Sequence, residues 1–196
     1  MRNIMIAYTG GQGGHYIWHY LQASGKFDQP YDIKENFYKQ FQEGKAWLKH
    51  EKWPTNDLSK KQNQCFHYCI PPYDKPQYLE AFDTSLDCYR ICPTMNYRDW
   101  LRTIIAKKTS NFRHTGTALS VVKENIKQLK NNPPILTVPR CDYYFDILQF
   151  VHEVSEREKL CKLVGVEINE TMEQFNTHYV GLHKNLVKTG WVIKNN

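Results

Sequence analysis

Short apolar runs alternate along this chain with longer segments in which apolar residues recur every three or four positions. The short runs predict buried β-strands, and the longer segments predict amphipathic helices. The predicted strands cover residues 3–8, 64–70, 86–92 and 135–138. The predicted helices cover residues 15–23, 33–50, 74–82, 97–108, 117–130, 143–154, 156–164 and 169–188. Strands that alternate with helices are typical of an α/β fold, here a three-layer sandwich in which helices cover both faces of a short parallel sheet.

The length and composition are those of one globular domain. The chain has 196 residues, of which 41% are hydrophobic, and it shows no internal repeat and no clear interdomain linker. We therefore expect residues 1–196 to form a single α/β domain whose last part, from about residue 142, is helical. No run approaches the ~18 consecutive apolar residues of a membrane span, and the N-terminal run does not have the form of a signal peptide. These features predict a cytoplasmic protein without a membrane span.

A glycine-rich stretch follows the first predicted strand directly. Residues 10–14 contain four glycines, and a helix-like segment begins at once after them. A strand, a glycine turn and a helix in this order place backbone N–H groups at a helix N-terminus, where they can bind an anion. A tight turn without a ligand would need only one or two glycines. Both interpretations are open, and the glycine content favours an anion site.

Two common phosphate-binding fingerprints are absent from this stretch. The dinucleotide pattern G-x-G-x-x-G needs a glycine where Tyr16 stands, and the Walker pattern needs a Lys followed by Ser or Thr, which the stretch lacks. Ordinary ATP hydrolysis is therefore disfavoured. The run from Gly10 to His15 is similar to the G-G-x-G-G-H loop of the glycosyltransferase that makes lipid II. That resemblance covers little more than the first strand and the loop.

The positive charge is concentrated in residues 107–130. This stretch holds six lysines and arginines against Glu124, a local charge of +5 within a chain whose net charge is +6. A basic stretch suits a phosphorylated ligand or a nucleic acid. Several of its lysines also lie at helical spacings, so an ordinary solvated helix face explains them equally well.

The six cysteines do not predict a metal site. Cys65, Cys69, Cys88 and Cys92 form two C-x3-C pairs, but both pairs fall in predicted strands. Residues four apart on a strand are roughly 13 Å apart, whereas the ligands of one zinc ion lie about 2.3 Å from the metal. We interpret these cysteines as buried, reduced core thiols and expect no metal.

Three segments, residues 11–18 (GQGGHYIW), 65–71 (CFHYCIP) and 95–103 (MNYRDWLRT), together resemble the P-loop sulfotransferases that use 3′-phosphoadenosine 5′-phosphosulfate. Residues 11–18, GQGGHYIW, stand in the register of the family's first loop, P-K-S-G-T-T-W-L, and share the glycine at Gly14. Residues 65–71, CFHYCIP, keep the histidine of the family's K-T-H-L-P strand as His67. Residues 95–103, MNYRDWLRT, match much of the family's R-N-x-x-D-hydrophobic-x-x-S segment. The resemblance covers about residues 3–110.

The resemblance implies a P-loop nucleotide-binding type of α/β fold and the transfer of a sulfuryl group from the nucleotide to a hydroxyl acceptor. His67 would take the proton of that hydroxyl. The remaining implied site residues hold the nucleotide. Its 5′-phosphosulfate would be cradled by Gly11, Gln12, Gly13, Gly14 and His15, which Tyr16 follows in the same motif, and its 3′-phosphate would be held by Asn96, Arg98 and Thr103.

Three positions depart from the family pattern by losing a basic residue. Gln12, Cys65 and Met95 stand where the family has lysine or arginine. Each replacement removes a cation that would stabilise phosphate or sulfuryl charge. Two alternatives are therefore open. The chain is either a non-catalytic anion- or nucleic-acid-binding protein, or a phosphoryl or glycosyl transferase that uses the same loop.

Overall fold

A computed structural model describes residues 2–28, 31–35, 63–70, 87–105 and 119–188. Its strands are β1 (Asn3–Thr9), β2 (Cys65–Ile70), β3 (Cys88–Thr94) and β4 (Tyr143–Asp146). Its described helices are α1 (Gly14–Gln22), α2 (97–105), α3 (Leu119–Asn131), α4 (Ile147–His152), α5 (Val154–Val164) and α6 (Glu170–Lys188). The helices predicted at 33–50 and 74–82 lie outside the described residues, apart from 33–35.

The four strands form one parallel sheet in the order β2-β1-β3-β4. This confirms the predicted mixed α/β class with a parallel sheet. The chain places β2 on one side of β1 and then returns to place β3 on the other side. Such a reversal is a topological switch point, and ligands of open parallel sheets bind beyond the carboxyl ends of the strands at this point. The glycine-rich stretch follows β1 at the switch point.

The two faces of the sheet carry different apolar clusters. On the first face, Ile4, Ile6 and Tyr8 of β1 join a large core that includes residues of all six helices, among them Tyr20, Trp100 and Phe175. On the second face, Met5 and Ala7 pack with the following residues: Phe66, Tyr68, Cys88, Cys92, Val138 and Cys141. Period-two alternation along β1 therefore divides the interior as the sequence pattern requires.

The predicted strand at 135–138 is wrong, and so is the start of the helix predicted at 143–154. Residues 135–138 are irregular, and the carbonyls of Ile135 and Leu136 accept hydrogen bonds from the side chains of Thr9 and Gln12 instead of from a strand. The fourth strand is formed by Tyr143–Asp146, which pairs with Ile91–Thr94. The helical part of the chain thus begins at Ile147, after a strand, and not at about residue 142.

Asp146 marks the boundary between strand and helix. Its carboxylate accepts hydrogen bonds from the N–H groups of Leu148 at 2.8 Å and Gln149 at 3.0 Å. An aspartate in this position satisfies N–H groups that a helix leaves without partners at its first turn. The aromatic residues before it suit a pleated strand, so this short segment changes from strand to helix at one residue.

Candidate functional site

The glycine loop, residues Gly10–Gly13, connects β1 to α1 with backbone angles that favour glycine. Gly11 has φ of 100° and Gly13 has φ of 76°, both in the left-handed region. Gly13 is also the N-cap residue of α1. A side chain at either position would strain the backbone, so this turn requires glycine at two places irrespective of any ligand.

Helices α2 and α4 pack closely against the glycine loop. A Cβ atom at Gly11 would lie 2.6 Å from Cδ1 of Ile104, and one at Gly13 would lie 3.1 Å from Cγ1 of Ile147. The indole N–H of Trp100 donates to the carbonyl of Gly10 over 2.9 Å. These contacts give the loop glycines a packing role as well as a conformational one.

Gln12 holds the glycine loop in shape from inside. Its side chain is fully buried, its Oε1 accepts from the N–H of Thr9 at 2.7 Å, and its Nε2 donates to the carbonyl of Leu136 at 2.5 Å. The N–H of Gln12 donates to the carbonyl of Thr9 at 3.1 Å. The Gln12 amide therefore braces the loop, and both its oxygen and its nitrogen have hydrogen-bond partners.

Three backbone N–H groups of the loop region have no acceptor among the residues that the structure describes. They belong to Gly11, Gly13 and Gly14. They lie at the N-terminus of α1, whose aligned peptide dipoles make that end partially positive. N–H groups of this kind are the groups with which glycine loops bind phosphate or sulfate, so the geometry suits an anion.

His67 lies beneath the first turn of α1. It sits in the middle of β2, paired with Ile6 and three residues before the carboxyl end of the strand. Its ring is 4.4 Å from that of His15, and its Nδ1 is 3.2 Å from the hydroxyl of Tyr8. The two histidines that the resemblance selects, 52 positions apart in the sequence, are therefore neighbours beside the glycine loop.

Tyr8 is a site residue that the sequence analysis missed. Its ring lies against the backbone of Gly14, where an added Cβ would come within 1.9 Å of Cδ1. Burial, followed by smaller effects of the Cys69 thiol, holds the pKa of Tyr8 well above its usual value. Tyr8 therefore stays a neutral hydroxyl that orients His67. Its alternation with Ile4 and Ile6 on the face that receives α1 is the sequence signal that could have identified it.

Tyr16 faces away from the loop and into the helical layer. Its hydroxyl donates to Oδ1 of Asn176 over 2.5 Å, and its ring stacks on that of Tyr179 with centroids 4.2 Å apart. Burial raises the pKa of this hydroxyl. The side chain thus joins α1 to α6, and the predicted contribution of Tyr16 to ligand binding rests on its backbone.

The segment Asn96–Thr103 lies at the same edge of the sheet as the glycine loop, as the contact of Trp100 with Gly10 shows. Asn96 caps α2: its Oδ1 accepts from the N–H of Asp99 at 3.0 Å, and its Nδ2 donates back to the Asp99 carboxylate. The hydroxyl of Thr103 donates to the carbonyl of Asp99 over 3.0 Å. The two hydrogen bonds between Asn96 and Asp99 form a reciprocal cap. Stabilisation of the start of α2 is therefore enough to explain why these two residues stand three positions apart.

The arginines of α2 lie on the opposite side of the helix from the glycine loop. Arg98 and Arg102 are exposed and four positions apart, whereas Trp100 and Ile104 are buried against the loop. Arg102 forms a 3.4 Å ion pair with Asp99. A role of Arg98 at the 3′-phosphate thus requires a ligand that extends over the outer side of α2.

His19, one turn below His15 on α1, is a buried neutral histidine. Its Nδ1 lies 2.7 Å from the hydroxyl of Tyr31, and its ring lies 4.9 Å from that of Trp18. Burial, assisted by the charge of His67, lowers the pKa of His19 to about 3. Below pH 6.5, the ordinary pKa of histidine, the unfolded chain binds a proton at His19. The folded protein does not bind that proton until the pH approaches about 3.

We expect His19→Gln to flatten the dependence of stability on pH. Between pH 6.5 and about 3, unfolding takes up one proton at His19, so wild-type stability falls with falling pH by up to about 1.4 kcal/mol per pH unit from this group. Urea unfolding of wild type and variant from pH 7 to pH 4 measures the two slopes. The exposed His152 on α4 provides the control as His152→Gln, which should keep the wild-type slope. If the unfolding free energies of wild type and H19Q change equally with pH, the low pKa of His19 is wrong.

The described residues contain neither a cluster of metal ligands nor a helix that could span a membrane. Within the described ranges, no three His, Cys, Asp or Glu side chains are grouped so that they could hold a metal ion. None of the helices in the described part of the chain has the length and apolar content needed to cross a membrane. In comparisons with known proteins, no protein-family model, no curated protein and no solved structure matches this chain.

Proposed function

We propose that this chain is a divergent sulfotransferase-like protein that binds a phosphorylated nucleotide at the carboxyl edge of its sheet. One observation carries the proposal: the N–H groups of Gly11, Gly13 and Gly14 have no acceptor among the described residues and lie at the switch point, next to His15 and His67. An anion at this place gains hydrogen bonds and the favourable end of the α1 dipole.

The proposed donor is 3′-phosphoadenosine 5′-phosphosulfate, whose phosphosulfate fits the glycine loop as an anion. In the proposed step, the oxygen of an acceptor hydroxyl bonds to sulfur and the S–O bond to the nucleotide breaks. His67 takes the hydroxyl proton, and adenosine 3′,5′-bisphosphate leaves. Tyr8 holds Nδ1 of His67 at 3.2 Å and so orients the ring. Asn96, Arg98 and Thr103 remain the predicted contacts of the 3′-phosphate.

Thermal unfolding with adenosine 3′,5′-bisphosphate, compared with ATP, tests the nucleotide site. A ligand present at about 100 times its Kd should stabilise the protein by about 2.7 kcal/mol. We expect His15→Gln to weaken this stabilisation, because the His15 side chain lies in the first turn of α1, next to the glycine loop. We expect His67→Gln to keep binding while it removes sulfuryl transfer. His152→Gln, at an exposed position, should change neither. Stabilisation by ATP alone would favour a phosphoryl transferase instead.

A second proposal, an anion- or nucleic-acid-binding protein without turnover, is supported by α3. Lys123, Lys127 and Lys130 are exposed and lie three and four positions apart, so they share one face of the helix. The remainder of the basic stretch, 107–118, lies outside the described residues. Binding of a single-stranded oligonucleotide that weakens steeply with salt, and that Lys127→Gln and Lys130→Gln reduce, would favour this function. If adenosine 3′,5′-bisphosphate also fails to stabilise this protein against thermal unfolding, the transferase function is excluded.

A further inference from the structure

The first turn of α1 carries the one basic side chain of the segment that surrounds the glycine loop. Residues 9–18 contain no lysine or arginine, and His15 is their only ionisable base. Gln12 stands where the resemblance places a lysine, and both ends of its amide are already hydrogen-bonded. A positive charge in this segment can therefore come only from His15, whose ring contacts that of His67 on β2.

His15 and His67 form a pair that can exchange protons with solvent. Their ring centroids lie 4.4 Å apart with an angle of 82° between the planes, so the edge of one ring meets the face of the other. Both side chains are half-buried. Two imidazolium ions at this separation repel each other, so the pair holds at most one added proton near neutral pH.

The other titratable groups around this pair carry no positive charge. Tyr8 of β1 lies in ring contact with both histidines, and its pKa is held well above the usual value, so its hydroxyl stays neutral. His19, one turn further along α1, stays neutral because burial lowers its pKa to about 3. Cys69, two positions after His67 and on the same face of β2, is a thiol.

The carboxylates on the two helices that pack against the glycine loop have hydrogen-bond partners of their own. Asp146 accepts from N–H groups of the first turn of α4, and Asp99 is bonded to Asn96 and Arg102 on α2. The α1 dipole itself disfavours a proton on His15, because its N-terminus is partially positive. An anion on the N–H groups of the same turn reverses this effect, since it supplies the opposite charge.

We propose that His15 takes up one proton from solvent when an anion binds to the glycine loop, and that its imidazolium supplies the charge that Gln12 lacks. An imidazolium N–H then donates to an oxygen of the anion. The charge on His15 also keeps His67 neutral, which is the form that can accept the proton of an acceptor hydroxyl. This inference rests on the anion site of the proposed function, and it identifies His15 as the residue that makes anion affinity rise as the pH falls.

The pH dependence of sulfate binding tests the proposal. Inorganic sulfate is the probe because it stays a dianion where histidines titrate, so its own charge does not change. The ¹⁵N-labelled full chain is titrated at constant ionic strength, and Kd is read from the amide resonances of Gly11, Gly13 and Gly14. In wild type, Kd should fall up to about tenfold for each unit that the pH is lowered from about 7.5 to about 5.5, since one proton binds with each anion. Sulfate should also raise the titration midpoint of the His15 ring resonances, a measurement that needs no variant.

Three variants separate His15 from the other histidines. His15→Gln should bind sulfate with a Kd that no longer depends on pH, whereas His67→Gln should keep the pH dependence. His152→Gln, at an exposed position on α4, is the control and should behave as wild type.

Two results would overturn the role of His15 while the anion site stands: a wild-type Kd for sulfate that does not change with pH, or a pH dependence that H67Q loses and H15Q keeps. Glycine amides that do not respond to sulfate at any pH would overturn it as well. The proposed function falls with it only if adenosine 3′,5′-bisphosphate also leaves these amides unchanged.

Discussion

Replacing Gly14 by alanine is expected to destabilise the protein by about 3 kcal/mol. The added Cβ would lie 1.9, 2.1 and 2.2 Å from three atoms of the Tyr8 ring. Tyr8 is buried between the sheet and α1 and cannot turn aside without leaving its hydrogen bond to His67. Overpacking of this severity forces either the helix or the ring to move, and urea unfolding measures the cost.

Gly181 provides the matched control, since it also lies in a helix with an ordinary backbone conformation. A Cβ there would meet nothing within 4 Å. Gly181→Ala should therefore stabilise the protein by about 0.5–1 kcal/mol through helix propensity. Equal effects of G14A and G181A would show that Gly14 is not constrained by Tyr8.

Replacing Glu173 by alanine is expected to cost about 1.5–3 kcal/mol, the range for hydrogen bonds to charged groups. The cost is below the roughly 3–5 kcal/mol of a fully buried ion pair, because the Glu173 side chain is 35% exposed. The carboxylate of Glu173 accepts two hydrogen bonds from Arg157, at 2.8 and 2.9 Å, and one from the hydroxyl of Tyr20 at 2.8 Å. Arg157 is 3% exposed, so the alanine variant leaves its guanidinium buried without a counter-charge. This network joins α1, α5 and α6.

The exposed ion pair of Glu156 and Lys159 provides the control for Glu173. The Lys159 side chain is 62% exposed, so Glu156→Ala should change stability by no more than about 1 kcal/mol. Similar losses in the two variants would contradict a buried role for Arg157. Denaturant midpoints measured at neutral pH decide between the two outcomes.

The Glu173 network also predicts how stability responds to acid. Burial alone would raise the pKa of Glu173, but hydrogen bonds from Arg157 and Tyr20 outweigh it and hold the pKa below its ordinary value of 4.5. The stabilisation is therefore complete above pH 4.5 and is lost as the pH falls through the lower, folded-state pKa. Glu173→Gln should lose that part of the acid sensitivity.

Sequence patterns predicted the parallel sheet because three of its strands are short, mostly apolar runs that alternate with helical segments. They failed at the fourth strand. Tyr143–Asp146 is short and joins a helix directly, so its pattern merges with the helical period that follows. Residues 135–138 have the composition of a strand. Their carbonyls, however, accept hydrogen bonds from the side chains of Thr9 and Gln12, which are distant in sequence, and the local pattern could not show this.

The site was predictable in its position but not in its internal contacts. A glycine stretch after the first strand of a parallel sheet has to lie at the carboxyl edge. The contact of His15 with His67 depends on the register of β2 against β1, which pairs His67 with Ile6. That register is a long-range property. The role of Gln12 as a brace likewise depends on Leu136, 124 positions away.

The N–H groups of the glycine loop offer the most direct test of the proposed anion site. We would titrate the ¹⁵N-labelled full chain with adenosine 3′,5′-bisphosphate, with adenosine as the uncharged control, and follow the amide resonances of Gly11, Gly13 and Gly14. The account predicts that all three shift with one saturable curve, and that adenosine leaves them in place. Unchanged glycine resonances, while the nucleotide shifts amides elsewhere in the chain, would contradict it.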